Sequence, residues 1–264
     1  MFFKSKVIVF ATTLFVLLPL NVQSTAVRIS TSLGIIEVDL FDETTPETVE
    51  NFLSYVNTGA YDNVVVHRSV SGFIVQSGGF EYNGQANPGE VPLDEIEVGV
   101  SVANEPLLSN LRGTIAMAKL SDLPDSATSQ WFINLSNNSS NLDLQNSGFS
   151  VFGQVRGDSM QVVDEIADLS LVNLGGAFSV IPMQDYTDTD FSNNVVISED
   201  NLVIISSIIV ANTAVDSSSE LSPAQNISLN LNNNPNQSIS SDSGGGAITW
   251  LALVSFLILC LRKR

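Results

Sequence analysis

The chain has 264 residues, 44% of them hydrophobic, and 28 acidic residues against ten basic ones give a formal net charge of −18. So strong a negative balance repels polyanions and excludes nucleic acid as a partner. With one histidine and one cysteine, Cys260, the chain has no Cys- and His-based zinc site and no internal disulfide; no metal or cofactor is expected, and a Ser-His-Asp triad would have to use His67.

The opening Met1-Phe2-Phe3-Lys4-Ser5-Lys6 precedes an apolar run over 7–20 and small residues at 24–26. A short basic start, an apolar core too short to span comfortably and a small-residue exit predict a secretory signal peptide over 1–24, cut after Ser24 or Ala26. No cysteine follows the run, which argues against a lipoprotein anchor.

Alternating runs at 26–31 and 34–41, joined around Ser32-Leu33-Gly34, predict a β-hairpin with Ile36, Val38 and Leu40 on one face. Thr45 before Pro46 starts a helix, Val49, Phe52, Leu53 and Val56 line one side of it, and Gly59 stops it. Short β-like runs follow at 64–67, 73–76, 114–119, 130–135 and 150–154. A second helix begins near Asp158 with Met160, Val163 and Ala167 on one face, and a β-branched run over 202–210 ends the domain. Many short strands with two helices predict a mainly β domain over 26–211, a closed antiparallel eight-stranded barrel capped by two α-helices. Its size suffices for one core, and a monomeric domain is expected. The connection 170–201 is long, and its part 175–200 is open between a lid, a second groove wall and a surface loop.

Residues 212–243 are rich in Ser and Asn without apolar periodicity, which predicts a flexible linker. Gly244-Gly245-Gly246, a short apolar run over 247–260 and the basic end Arg262-Lys263-Arg264 complete the chain. This pattern predicts a short transmembrane segment with its basic end retained inside. It also resembles the Gly-Gly C-terminal sorting tails of some Gram-negative bacteria, which a rhomboid-type protease removes. On either reading the domain is exported, to the periplasm or cell surface of a Gram-negative bacterium, and touches membrane only through its tail unless that tail is processed. Without the two ends, five basic residues face all 28 acidic ones.

The segment His67-Arg68-Ser69-Val70-Ser71-Gly72-Phe73-Ile74-Val75-Gln76-Ser77-Gly78-Gly79 places one cation and one amide among apolar residues at strand spacing. Turning an X-Pro peptide bond breaks amide conjugation, against a barrier of ~18–20 kcal/mol, and needs no acid, base or nucleophile. A donor that favours the twisted amide and an apolar pocket for the ring are enough. An arginine beside clustered aromatics supplies both.

At His67, Arg68, Gly72, Phe73, Gln76 and Gly78 this segment resembles the active-site strand of the cyclophilin-type peptidyl-prolyl isomerases. The resemblance implies a catalytic role for Arg68, a proline pocket lined by Phe73, a substrate-backbone contact at Gln76, and Ile74 as an apolar wall where the family usually has methionine. Two further blocks carry the likeness, Gly113-Thr114-Ile115-Ala116-Met117-Ala118 with Ser129-Gln130-Trp131-Phe132-Ile133, and Asn141-Leu142-Asp143 with Val151-Phe152-Gly153. They imply Ala118 under the substrate, Lys119 offering it backbone, Gln130 supporting Arg68, Phe132 as pocket floor, Leu142 as wall, and Phe149 at the place of the family's pocket histidine. Met117 is read as core, and His67 as a packed side chain rather than a base. Departures are Ser71, Ser77, Gly79 and Asn141, the last of which removes an indole donor and implies weak cyclosporin binding. The implied function is acceleration of X-Pro isomerisation in proline-containing polypeptides during folding of exported proteins. The alternative is a catalytically weak proline-peptide-binding module or chaperone using the same groove.

Overall fold

The computed structural model describes residues 25–85, 87–211 and 223–229. The expected signal peptide over 1–24 and the tail over 244–264 lie outside the described residues. Among the described residues no helix is long and apolar enough to cross a membrane.

β1 (Ala26–Thr31) and β2 (Gly34–Leu40) form the expected hairpin. Thr31 locks its turn, Oγ1 donating to the Gly34 carbonyl at 2.8 Å and accepting the Leu33 and Gly34 N–H groups. Ile36, Val38 and Leu40 are buried whereas Ile35 is exposed, so the alternation reads directly as two faces. α1 (Pro46–Thr58) buries Val49, Phe52 and Val56 and ends at Gly59, whose left-handed φ of 70° turns the following Ala60 N–H back to the Tyr55 carbonyl at 3.0 Å.

The chain continues through β3 (Val64–Val65), β4 (Arg68–Val70), β5 (Ile74–Ser77), β6 (Phe80–Tyr82), β7 (Leu93–Glu95), β8 (Thr114–Met117) and β9 (Trp131–Asn134). After α2 (Ser139–Leu142), β10 (Val151–Val155) and α3 (Met160–Ala167) come β11 (Ser170–Val172), β12 (Ile181–Met183), α4 (Asp188–Ser192) and β13 (Ile204–Ala211). Eleven strands pair antiparallel in the order β4-β5-β9-β8-β10-β2-β1-β13-β3-β6-β7, and β11 pairs with β12 alone.

The mainly β expectation is met by a curled antiparallel sheet, but its ladder is an open eleven-stranded one with β4 and β7 at the ends, not a closed eight-stranded barrel. The predicted runs 64–67 and 73–76 are the reason. Val66 leaves the ladder to donate its N–H to the Val203 carbonyl, so β3 pairs with β13 and β6 while β4 pairs with β5. Among the described residues α2 and α4 join the two expected helices, as single turns too short to show periodicity.

The main core fills the inner face of the curl, where the Phe52 ring lies 5.1 Å from Phe152, 5.4 Å from Tyr61 and 6.5 Å from Trp131. Met117 is fully buried there, as read from the sequence. The connection 170–201 builds its own core, with Val172, Ile181, Met183, Tyr186 and Ile197 packed on Val65 and Ile204. It also flanks β4, where the Val180 carbonyl accepts the Ser69 N–H at 2.9 Å. Residues 223–229 return to the domain: the Ser109 N–H donates to the Ala224 carbonyl and the Asn226 N–H to the Leu107 carbonyl, each at 2.8 Å. Of the expected linker 212–243 only 223–229 is among the described residues, and there Asn226 is buried and bonded to the domain.

Candidate active site

Four strands line up the site. Arg68 on β4 stands opposite Gln76 on β5, Gln76 opposite Phe132 on β9, and Phe132 opposite Ala116 on β8, so these side chains share one face of the sheet. Arg68 Nη1 donates to Gln76 Oε1 at 3.2 Å, and Gln76 Nε2 donates to Gln130 Oε1 at 2.8 Å. Gln130 thus steadies Arg68 through Gln76 instead of touching it, because the two residues are separated by β5. Burial lowers the Arg68 pKa from its usual value, and no carboxylate among the described residues lies within ion-pair distance of it. In so acidic a protein, that guanidinium keeps its donors for another acceptor.

Beside it an apolar cluster sits on the opposite side of the sheet from the main core. Ile74, Phe132 and Leu142 are buried in it, and Phe73, Ala118 and Phe149 are half-buried against it. The Phe132 and Phe149 rings meet edge to face at 5.8 Å. All six apolar residues proposed from sequence come together here. Ile74, at 4% exposure, is part of the buried floor and leaves the exposed wall to Phe73.

Residues 26–197 match the family model "Cyclophilin type peptidyl-prolyl cis-trans isomerase/CLD". A peptidyl-prolyl cis-trans isomerase of Acinetobacter baylyi is 40% identical over 154 residues, which are 58% of this chain and 77% of that one. Peptidyl-prolyl cis-trans isomerase B of Escherichia coli is 38% identical over 164 residues, 60% of this chain and 93% of that protein. This chain belongs to the cyclophilin-type peptidyl-prolyl cis-trans isomerases. The crystal structure of a Cryptosporidium parvum cyclophilin, 20% identical, covers 72% of this chain and 99% of its own at a TM-score of 0.50, a likeness of fold.

Within this cyclophilin, Lys119 plays a part that its sequence position does not suggest. Beside the backbone role that the family likeness implies, its Nζ donates to the carbonyls of Asn146 at 2.9 Å and Gly148 at 2.6 Å and lies 4.7 Å over the Phe149 ring. Burial brings its pKa down to about 8, with Asp125 opposing. Two side chains outside the family blocks also hold the turn before β5: Asn138 Nδ2 donates to the Phe73 carbonyl at 2.8 Å, and Ser136 Oγ to the Gly72 carbonyl at 2.6 Å. Their signal in the sequence was a run of Asn and Ser directly after a strand, where short polar side chains bond to backbone.

The departures from the family pattern are accommodated locally. Ser77 Oγ donates to the Val65 carbonyl at 2.9 Å in a buried position. A Cβ at Gly79 would come within 2.5 Å of Gln130 Nε2, so the glycine leaves room for the amide that holds Gln76. His67 is buried edge-on against Phe80 at 4.9 Å, and burial lowers its pKa to about 4. It is neutral and packed, in keeping with the structural role read from the sequence.

Proposed function

We propose that the face from Arg68 to Phe149 is where this cyclophilin turns X-Pro bonds in exported polypeptides. One observation carries the reading: a half-buried guanidinium with no carboxylate partner among the described residues, held by Gln76 beside an apolar cluster. Phe73, Phe132, Leu142 and Phe149 take the prolyl ring, with Ile74 and Ala118 beneath. A planar amide nitrogen offers no lone pair, whereas a twisted one pyramidalises and accepts a hydrogen bond. Donors fixed in advance where that lone pair develops favour the twisted state over the planar one. Gln76 and Gln130 keep the guanidinium aimed, and Gln76 contributes its remaining capacity to the substrate backbone.

Isomerisation of a short X-Pro peptide tests this. Arg68→Ala should lower kcat/KM by roughly 100-fold, the loss typical of one preorganised donor. Arg68→Lys should recover only part of it, since an ammonium lacks the planar fork. Unchanged activity in Arg68→Ala would remove Arg68 from the mechanism.

The export reading rests on the signal-like start, the thiol-free domain and the tail. We propose that the protein works in the periplasm or at the cell surface, with its tail removed as a sorting signal. Mass spectrometry of the exported protein should find an N-terminus at residue 25 or 27 and a C-terminus near 244–247. Intact Arg264 would make the tail an anchor instead.

A further inference from the structure

We propose that Asn226, from the chain segment beyond the sheet, is a positioning residue for the proline pocket; the inference rests on the site reading above. The segment 223–229 bridges antiparallel to residues 107–109, with Gln225 opposite Leu108. Asn226 lies beneath the pocket loop. It is 6% exposed, and its Nδ2 donates to the Asp143 carbonyl at 3.0 Å and to the Pro106 carbonyl at 3.1 Å. Both amide hydrogens are thus spent on backbone carbonyls that flank the loop.

Asp143 is the residue through which this contact reaches the pocket. Its buried carboxylate accepts Ser109 Oγ at 2.7 Å and the Asn110 N–H at 2.8 Å. Ser109 is itself bonded to the returning segment, through its N–H to Ala224 and its Oγ to the Gln225 carbonyl at 3.2 Å. Directly before Asp143 stands Leu142, whose carbonyl accepts the Phe149 N–H at 3.0 Å. The packing around the turn into Phe149 is close as well: a Cβ at Gly148 would meet Pro106 at 2.8 Å, the Asp143 carbonyl at 2.9 Å and Asn226 Nδ2 at 3.3 Å. The segment therefore grips the same loop that Lys119 holds through the Asn146 and Gly148 carbonyls. Two pocket residues, Leu142 and Phe149, depend on that grip.

A buried carbonyl that loses its donor rearranges to find another, and here the rearrangement displaces Leu142 and Phe149. The effect falls on substrate binding, because the segment's hydrogen bonds go to residues 106–109 and 143, whereas Arg68 and Gln76 lie on β4 and β5. In the full-length protein, Asn226→Asp keeps the shape but replaces the donor by a carboxylate facing the Pro106 and Asp143 carbonyls, while Asn226→Ala removes donor and shape together. Each should raise KM for an X-Pro peptide roughly five-fold, the worth of one hydrogen bond, with kcat nearly unchanged. Ile227→Ser, at a position 63% exposed, should leave both constants as they are. A purely structural role would lower the melting temperature and the active fraction without moving KM. Unchanged KM in both Asn226 variants would overturn the proposal. Amide hydrogen exchange on the wild-type chain decides independently of folding in the variants: Ser109 and Asn226 amides should be protected, and exchange at the rate of an unstructured peptide would overturn the clasp. A wild type without isomerase activity would sink the site reading while leaving the exchange result to judge the clasp alone.

Discussion

Lys119 shows how one side chain ties the pocket to pH. Its ammonium bonds two carbonyls of the loop before Phe149 and faces the Phe149 ring, an attraction that needs the charge. Burial lowers its pKa from 10.5 to about 8, so the folded protein releases this proton before the unfolded chain does. Two opposite trends follow. Above pH 8 the loop loses its cation, and KM for an X-Pro peptide should rise between pH 7 and pH 9; stability, relieved of a half-buried charge, should rise over 8 to 10.5. Lys119→Met should show the raised KM at every pH, and a KM flat across this range in the wild type would deny the ammonium its role. Sequence placed Lys119 at the site for its backbone. Its side-chain role depends on the loop after α2 folding back over β8, which no local pattern encodes.

At the scale of elements, the junctions between half-strands matter most. Gly78 separates β5 from β6 with φ of 87°, and a Cβ there would lie 2.5 Å from the Ser129 carbonyl and 2.9 Å from Trp131 Cδ1. Gly72 has a similar φ of 65° but nothing within 4 Å. Alanine at 72 should therefore cost about 1 kcal/mol from backbone strain alone, and alanine at 78 roughly 3 kcal/mol, from strain plus a clash with backbone that cannot yield. Equal losses in denaturant unfolding would mean that the two strands can part at 78. Alternation made β1, β2 and their buried face legible, and capping chemistry bounded α1 at both ends. The split of 64–70 between β3 and β4 was not legible, since both halves are β-like and only their partners differ. The same holds for 170–201, whose apolar residues are spaced to meet Val65 and Ile204 from elsewhere in the chain. The apolar half of the candidate site was readable because its residues, Phe149 apart, stand in or directly beside blocks that carry the family likeness; the grip of Asn226 was not, because one asparagine in an Asn-rich stretch carries no signal.

For the whole molecule, the single histidine makes stability against acid a clean measurement. His67 lies next to the arginine of the site, fully enclosed, where burial chiefly lowers its pKa to about 4. An unfolded histidine titrates near 6.5, so between pH 6.5 and pH 4 the unfolded chain binds a proton that the folded protein refuses. The histidine's contribution to stability is therefore present above about pH 6.5 and is lost as the pH falls towards 4. Integrated from pH 7 to pH 5, the loss comes to about 2 kcal/mol. A second effect runs the other way: the excess of acidic groups repels itself, and protonating carboxylates relieves the strain. The carboxylates are common to wild type and His67→Gln, so the difference between the two unfolding curves isolates the histidine. His67→Gln should lose less stability than wild type between pH 7 and pH 5, by about 2 kcal/mol. Parallel curves would mean that His67 accepts a proton within the fold, and that the charge beside Arg68 changes with pH. In that event the activity profile should bend in the same range, whereas a neutral His67 leaves the Arg68 chemistry level down to pH 5.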